Sequence, residues 1–372
     1  MAEAAASSPR RRLESIRRHL LPRPPPVLSL NPLSAAEAGP SPVIIGGMVL
    51  DIYAKPSVPP HPGTTVPGMV KYIGGGVARN IAECMAKLGA RPLMISVVGN
   101  DIAGDFLLKY WRSAGLCTDG ILRVHDAATP VVSNVFDGSG ELFAGVASVG
   151  AVENFLTPSW INQFYLHIST APLLMLDANL PPQSLQAACK IAYESGVPVL
   201  FEPVSVAKSS RIAPIAEYIT CTSPNEMELI AMANTLSAPG RYNFVKLEQC
   251  NNKTEAVDYL FKMLSPAMFF LLEKGIKLLL VTLGSNGVFI CCKEHVNFMK
   301  VVSLTGAGDC LVGGVLSSLC GGLDIMQSVA VGIAIAKASV ESEANIPDNF
   351  CGASIADEAR RTLLSAKQIW CQ

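Results

Sequence analysis

This sequence has little net charge, little histidine and no Cys-x-x-Cys pair. Lys and Arg number 29 against 30 Asp and Glu, a formal net charge of −1, and 372 residues include 5 His. A near-neutral chain lacks the basic surface that holds a phosphate backbone, so polymeric nucleic acid is not expected as a partner. The 11 Cys are scattered without a Cys-x-x-Cys pair, which argues against a zinc ribbon or a disulfide framework. His125, His167 and His295 share no ligand spacing and read as turn or surface residues. No apolar run approaches the ~20 residues that span a bilayer. The Gly-x-Gly-x-x-Gly fingerprint of a dinucleotide site is missing too, which argues against an oxidoreductase.

What the chain has is apolar and glycine-rich: 50% of residues are hydrophobic and 30 are Gly. Short apolar strands, predicted near Val43 and at 93–98, 173–176, 197–201, 218–220 and 278–283, alternate with amphipathic helices, the pattern of a layered α/β fold. Two stretches with Pro-rich or alternating sequence interrupt it, at 53–72 and 121–148. Residues 241–274 read as a loop and a packing helix without chemistry, with a dimer or partner surface as the alternative. Residues 1–40 stand apart from the 41–365 domain: Arg10, Arg11, Arg12, Arg17, Arg18 and Arg23 are followed by a Pro run, with Leu13, Ile16, Leu20 and Leu21 at near-helical spacing. That segment reads either as a mitochondrial transit sequence or as a solvated basic tail, leaving cytoplasm and mitochondrion both open.

The most informative stretch is Thr305-Gly306-Ala307-Gly308-Asp309, which precedes the small apolar residues of a buried helix. Glycines let backbone N–H groups face a ligand and a helix start adds positive potential, so Gly306, Ala307 and Gly308 suit phosphate oxygens. Asp309 would repel a phosphate it merely accompanied. It fits instead a base that takes a proton from an attacking hydroxyl. The residues alone also allow a plain helix cap. Far upstream, Gly74-Gly75-Gly76-Val77-Ala78-Arg79-Asn80 reads as a glycine loop opening a second helix, which Gly89 and Pro92 are placed to end. Asn80 offers a donor and an acceptor to hydroxyls; Arg79 is placed either to pack against the loop or to reach substrate.

Together these two glycine motifs resemble the signatures of the ribokinase-type, or PfkB, carbohydrate kinase family, in the right order. The resemblance covers about 43–347 and implies a ribokinase-like α/β/α domain with a small β lid over the sugar site, formed by the two interrupting stretches. It implies ATP as phosphate donor, Mg²⁺, Asp309 as general base and the 306–308 turn as anion hole. Asp51, Gly75, Gly76 and Asn80 are implied to meet the substrate, a small molecule. Asn225-Glu226-Met227-Glu228 resembles the family's Asn-x-x-Glu motif, with Asn225 on the nucleotide side and Glu228 acting on Mg²⁺ through water; a capping pattern at a helix start would look the same. Thr282, Gly284 and Gly287 match the nucleotide-side loop, although a plain hairpin uses such glycines as well. Lid strands in the family often form a homodimer contact.

Within the family, Gly75-Gly76-Val77-Ala78-Arg79-Asn80, Glu202-Pro203-Val204-Ser205 and Pro224-Asn225-Glu226-Met227-Glu228 are most similar to the pseudouridine kinases. That resemblance implies phosphorylation of the 5′-hydroxyl of pseudouridine. A kinase for ribose or another nucleoside remains the alternative. Two departures stand out. The stretch 289–302 is several residues shorter than relatives usually have, which suggests a trimmed hairpin or a spliced form that only binds ligand. Ser303 replaces an Asp that in several relatives helps hold a monovalent cation, leaving K⁺ activation open.

Overall fold

The computed structural model describes residues 40–61, 63–139, 141–243, 253–299, 307–340, 342 and 344–369. The chain opens with β1 (Val43–Ile45), leaves for a lid hairpin of β2 (Val49–Pro56) and β3 (Gly68–Gly75), and returns through α1 (Val77–Lys87) to β4 (Leu93–Gly99). After α2 (Ile102–Ser113) and β5 (Ile121–Val124) comes a second lid hairpin, β6 (Val131–Phe136) and β7 (Leu142–Ser148). Short helices then lead to β8 (Leu174–Asp177), α3 (Pro182–Glu194), β9 (Val199–Glu202) and β10 (Cys221–Thr222). α4 (Glu226–Leu236) and α5 (Lys253–Glu273) precede β11 (Leu278–Thr282), β12 (Val288–Cys291) and β13 (Val296–Met299). The last described elements are α6 (Gly308–Cys320), α7 (Ile325–Val340), α8 (Gly352–Leu364) and β14 (Lys367–Ile369).

The strands from β5 to β11 run parallel, and β12, β13 and β14 add an antiparallel edge, in the order β14-β13-β12-β11-β10-β9-β8-β1-β4-β5. Parallel strands buried on both faces need apolar residues at every position. In β1, Val43 and Ile45 join one apolar cluster and Ile44 the other; Leu174 and Leu176 against Met175, and Leu279 and Val281 against Leu280, repeat the division. One cluster packs under α1, α6, α7 and α8, the other under α3, α4 and α5, giving three layers. From β1 the chain winds outward in both directions, to β4 and β5 on one side and to β8, β9 and β10 on the other. Such a reversal leaves a crevice at the carboxyl ends of the strands. The four-stranded lid, ordered β3-β2-β6-β7, rises from that end through the β1–β2 turn.

Several boundaries differ from those read in the sequence. β5 belongs to the main sheet, paired with β4, so the second lid segment begins at Val131 and not at residue 121. β2 begins at Val49, so the first lid segment starts there and not at residue 53, and Asp51 stands on a lid strand. Gly74 and Gly75 complete β3, so the glycine run is the end of a strand followed by a single turn residue. The strand expected at 218–220 starts at Cys221, because Ala216–Tyr218 forms a turn of 3-10 helix. The hairpin over the shortened stretch is present: β12 and β13 pair in antiparallel register, with Cys292 N donating to His295 O at 3.0 Å. The sheet continues to β14, past residue 365. The Arg-rich segment 1–39, Ser303 and Gly306 lie outside the described residues.

Candidate active site

The site is assembled where β1, β2, β8, β9 and two helix starts converge, and a buried carboxylate ties the pieces together. Asp177, at the end of β8, accepts from Gly47 N at 2.9 Å, from Asn179 N at 2.9 Å and from Ala78 N, in the first turn of α1, at 3.3 Å. Gly76 makes the approach possible. Its φ is +95°, and a Cβ there would lie 2.5 Å from Gly47 O. A residue with a side chain would be strained in both respects. Burial pushes the Asp177 carboxyl above its ordinary range, against the pull of its N–H donors.

Asp309 lies in the first turn of α6. No side chain caps this helix, and Asp309 Oδ2 instead accepts from Asn80 Nδ2, on α1, at 2.8 Å. Burial raises its pKa to about 6, with the nearby negative charges of Asp177 and Asp51 adding and the Asn80 donor and Arg79 charge opposing. A carboxylate that titrates there is ionised at neutral pH and yet basic enough to take a proton in a transition state. Asp51 stands on β2 with Asn345 Nδ2 3.2 Å from its Oδ2. Gly75 lies so close that a Cβ would come within 2.0 Å of the same oxygen. Burial raises the Asp51 pKa, while Asn345 and Arg79 lower it. Gly308 is exposed, and the space above its backbone is open; Ala307 is buried.

A second acidic group lies at the ends of β9 and β10. Glu202 accepts from Ser223 Oγ and from the Val204 N–H. Val204 has φ +66°, rare for a β-branched residue and costing about 1–3 kcal/mol, which the Glu202 contact helps to hold. Burial drives the Glu202 pKa well up, and the charges of Glu228 and Asp309 drive it further. Glu228 and Asn225 form a reciprocal cap on α4: Asn225 Oδ1 accepts from Met227 N and Glu228 N at 2.9 Å, and Glu228 Oε2 accepts from Asn225 N at 2.9 Å. Burial raises the Glu228 pKa as well. Thr282 is brought beside this cap, donating from its N–H to Pro224 O at 2.9 Å. Among the described residues no set of three His, Cys, Asp or Glu side chains is arranged to enclose a metal ion.

The structure therefore joins Asn80 to Asp309, sets Gly75 against Asp51 and Gly76 against the Gly47 carbonyl, brings Asp51 within electrostatic reach of Asp309, and places Asn225, Glu228 and Thr282 along the next strand ends. Gly284 and Gly287 divide. Gly284, at φ +54°, has open space around it, whereas a Cβ at Gly287 would lie 2.5 Å from Met299 O, so Gly287 seats β12 against β13. Three residues were missed as site members. Asp177 carried one signal, an acid closing an apolar strand. Glu202 lay in a segment noted only for its resemblance, and Asn345 sits in a loop without a motif.

A family model described as pfkB family carbohydrate kinase matches residues 41–349. The pseudouridine kinase of Arabidopsis thaliana is 47% identical over 375 residues, spanning 88% of this chain and 98% of that protein. The Escherichia coli (strain K12) pseudouridine kinase is 25% identical over 293 residues, 77% of this chain and 86% of that one. Among solved structures, Arabidopsis thaliana ribokinase complexed with ribose and ATP superposes with a TM-score of 0.69 at 20% identity, over 87% of this chain and 99% of that one. With the three layers, the lid and the paired helix starts in place, the chain belongs to the pfkB family of carbohydrate kinases.

Proposed function

We propose that this enzyme transfers the terminal phosphate of ATP to the 5′-hydroxyl of pseudouridine, with Asp309 as general base. The observation that carries the chemistry is the Asp309 carboxylate at the start of α6, tuned to about 6 by burial and steered by Asn80. The choice of acceptor rests on the Arabidopsis pseudouridine kinase, at 47% identity over most of both chains.

In this reading Asp51 accepts hydrogen bonds from ribose hydroxyls, and Asn345 holds its carboxylate toward the cleft. Asp309 removes the 5′-hydroxyl proton as the oxygen attacks, and the amides of residues 306–308 receive charge developing on the phosphoryl oxygens. Asn225, Thr282 and Gly284 flank the nucleotide. The half-buried Glu202 and the buried Glu228, whose charge disfavours ionisation of Glu202, suit an Mg²⁺ ion held through water. Bound Mg²⁺ neutralises charge on the ATP phosphates. The lid closes over the nucleoside and excludes water from the attack. Its exposed apolar side chains, among them Met69, Tyr72, Phe143 and Val146, make it the surface for a homodimer.

The test is product identity. Incubation with ATP, Mg²⁺ and pseudouridine should yield a phosphomonoester on the 5′-oxygen, seen by phosphorus NMR and mass. A phosphate on another hydroxyl, or turnover of ribose in preference to pseudouridine, would contradict the assignment.

A further inference from the structure

We propose that Arg79 is a positioning residue for Asp309, acting through Asn80. This rests on Asp309 being the base. A guanidinium can only donate hydrogen bonds. Arg79 Nη1 donates to Asn80 Oδ1 at 2.8 Å, so the oxygen of the Asn80 amide is committed to Arg79 and its NH₂ must face the other way. There it donates to Asp309 Oδ2 at 2.8 Å. A flipped amide would set oxygen against carboxylate and NH₂ against guanidinium, losing both bonds. Among the described residues no hydrogen bond is made to Asp309 Oδ1, which leaves that oxygen to receive the substrate proton.

Arg79 is an unusual residue for its place. It stands in the first turn of α1, which contains no acid, where the helix potential disfavours a cation. It is also only 3% exposed. Such a charge persists only with strong compensation. Glu83, one turn along the helix, pairs with it and is itself held by Tyr110 Oη at 2.6 Å and Lys87 Nζ at 2.8 Å. The Tyr110 ring lies 5.2 Å beneath the guanidinium. Arg79 Nη1 also donates to Gly74 O at 2.6 Å, fixing the end of the lid strand β3 to the same group. Packing alone would be met by an apolar residue here. A donor-only fork joining the lid strand, the Asn80 amide and the buried Glu83 carboxylate is what orientation of the base through Asn80 requires.

The charged groups facing Asp309 are Asp177 on β8, Asp51 on β2, Glu202 on β9 and Arg79 on α1. Three of the four oppose its ionisation. Removing the Arg79 fork, and with it the fixed Asn80 donor, shifts the balance toward the protonated acid.

The experiment is the pH dependence of kcat in Arg79→Lys, which keeps the charge and loses the fork. We expect the acidic limb to move upward by about half a pH unit or more, and kcat at pH 7 to fall about tenfold, as for loss of one charge-assisted hydrogen bond, with KM for ATP little changed. Glu83→Gln, which keeps the fork, should lower the melting temperature without an upward move of the limb. The double variant Arg79→Met/Glu83→Gln leaves no unpaired charge and should show the same upward move if Arg79→Lys does not fold. Combining Arg79→Lys with Asn80→Ala should move the limb no further than Asn80→Ala alone. An unmoved limb in the Arg79 variants, with Asp309→Asn inactive, would overturn the proposal and leave the base in place. An active Asp309→Asn would overturn the base itself.

Discussion

In the proposed mechanism Asp309 takes the substrate proton, and its environment sets two opposing demands. Its pKa of about 6 lies above the ordinary carboxylate value of 3.8, so the folded protein holds a proton there more tightly than the unfolded chain does. Stability from this group is therefore present at low pH and is lost as pH rises from about 4 to about 6, a cost of about 1–3 kcal/mol above that window. Asp309→Asn should consequently melt at a higher temperature than the native enzyme at pH 7.5, the gap closing below about pH 4. Equal melting temperatures at pH 7.5 would show that the carboxylate is not destabilised by its site. Asp51→Ala removes a half-buried acceptor for hydroxyls and should raise KM for the nucleoside about tenfold or more while leaving KM for ATP nearly unchanged. An unchanged nucleoside KM would remove Asp51 from the substrate. Asp309 and Asn80 stood out as candidates because glycines mark the backbone before them, whereas Asp51 was singled out only through the family resemblance. Asp177 and Glu202 were not, since a lone acid at a strand end looks the same whether it ties loops together or meets a ligand.

At the scale of elements, the start of α1 depends on a turn that only glycine fits. Gly76→Ala would force a side chain into φ +95° and onto Gly47 O, so it should destabilise the fold by about 1–3 kcal/mol and disturb turnover at the same time. A melting temperature within a degree of the native value would show that this turn relaxes freely. The core strands were readable in the sequence because strands buried on both faces are continuous apolar runs, and β1, β4, β8 and β11 all begin within one residue of their expected starts. β10 was displaced because Ala216, Glu217 and Tyr218 carry no mark that separates a 3-10 turn from a strand. The lid was misbounded for a related reason. After Gly46-Gly47, Met48, Val49 and Leu50 are as apolar as a core strand, so only the pairing of β2 with β3 and β6 reveals that it has left the main sheet.

For the whole molecule, the proposed mechanism divides the work: the main domain carries Asp309 and the Asn225 cap, and the four-stranded lid presents Asp51. The lid also turns Phe143, 64% exposed, and Val146, 74% exposed, to solvent. A second copy covering this surface would remove that apolar area from water. Light scattering at working concentration should give twice the chain mass, and Phe143→Asp with Val146→Asp should return it to one. A single-chain mass for the native protein would end the dimer proposal. The central claim is tested most directly by ADP release from the purified chain with ATP, Mg²⁺ and pseudouridine, uridine or ribose, beside Asp309→Asn. The account expects release selective for pseudouridine and reduced at least about 10²-fold in the variant, as for loss of a general base; equal release from ribose, or undiminished release in Asp309→Asn, would contradict it.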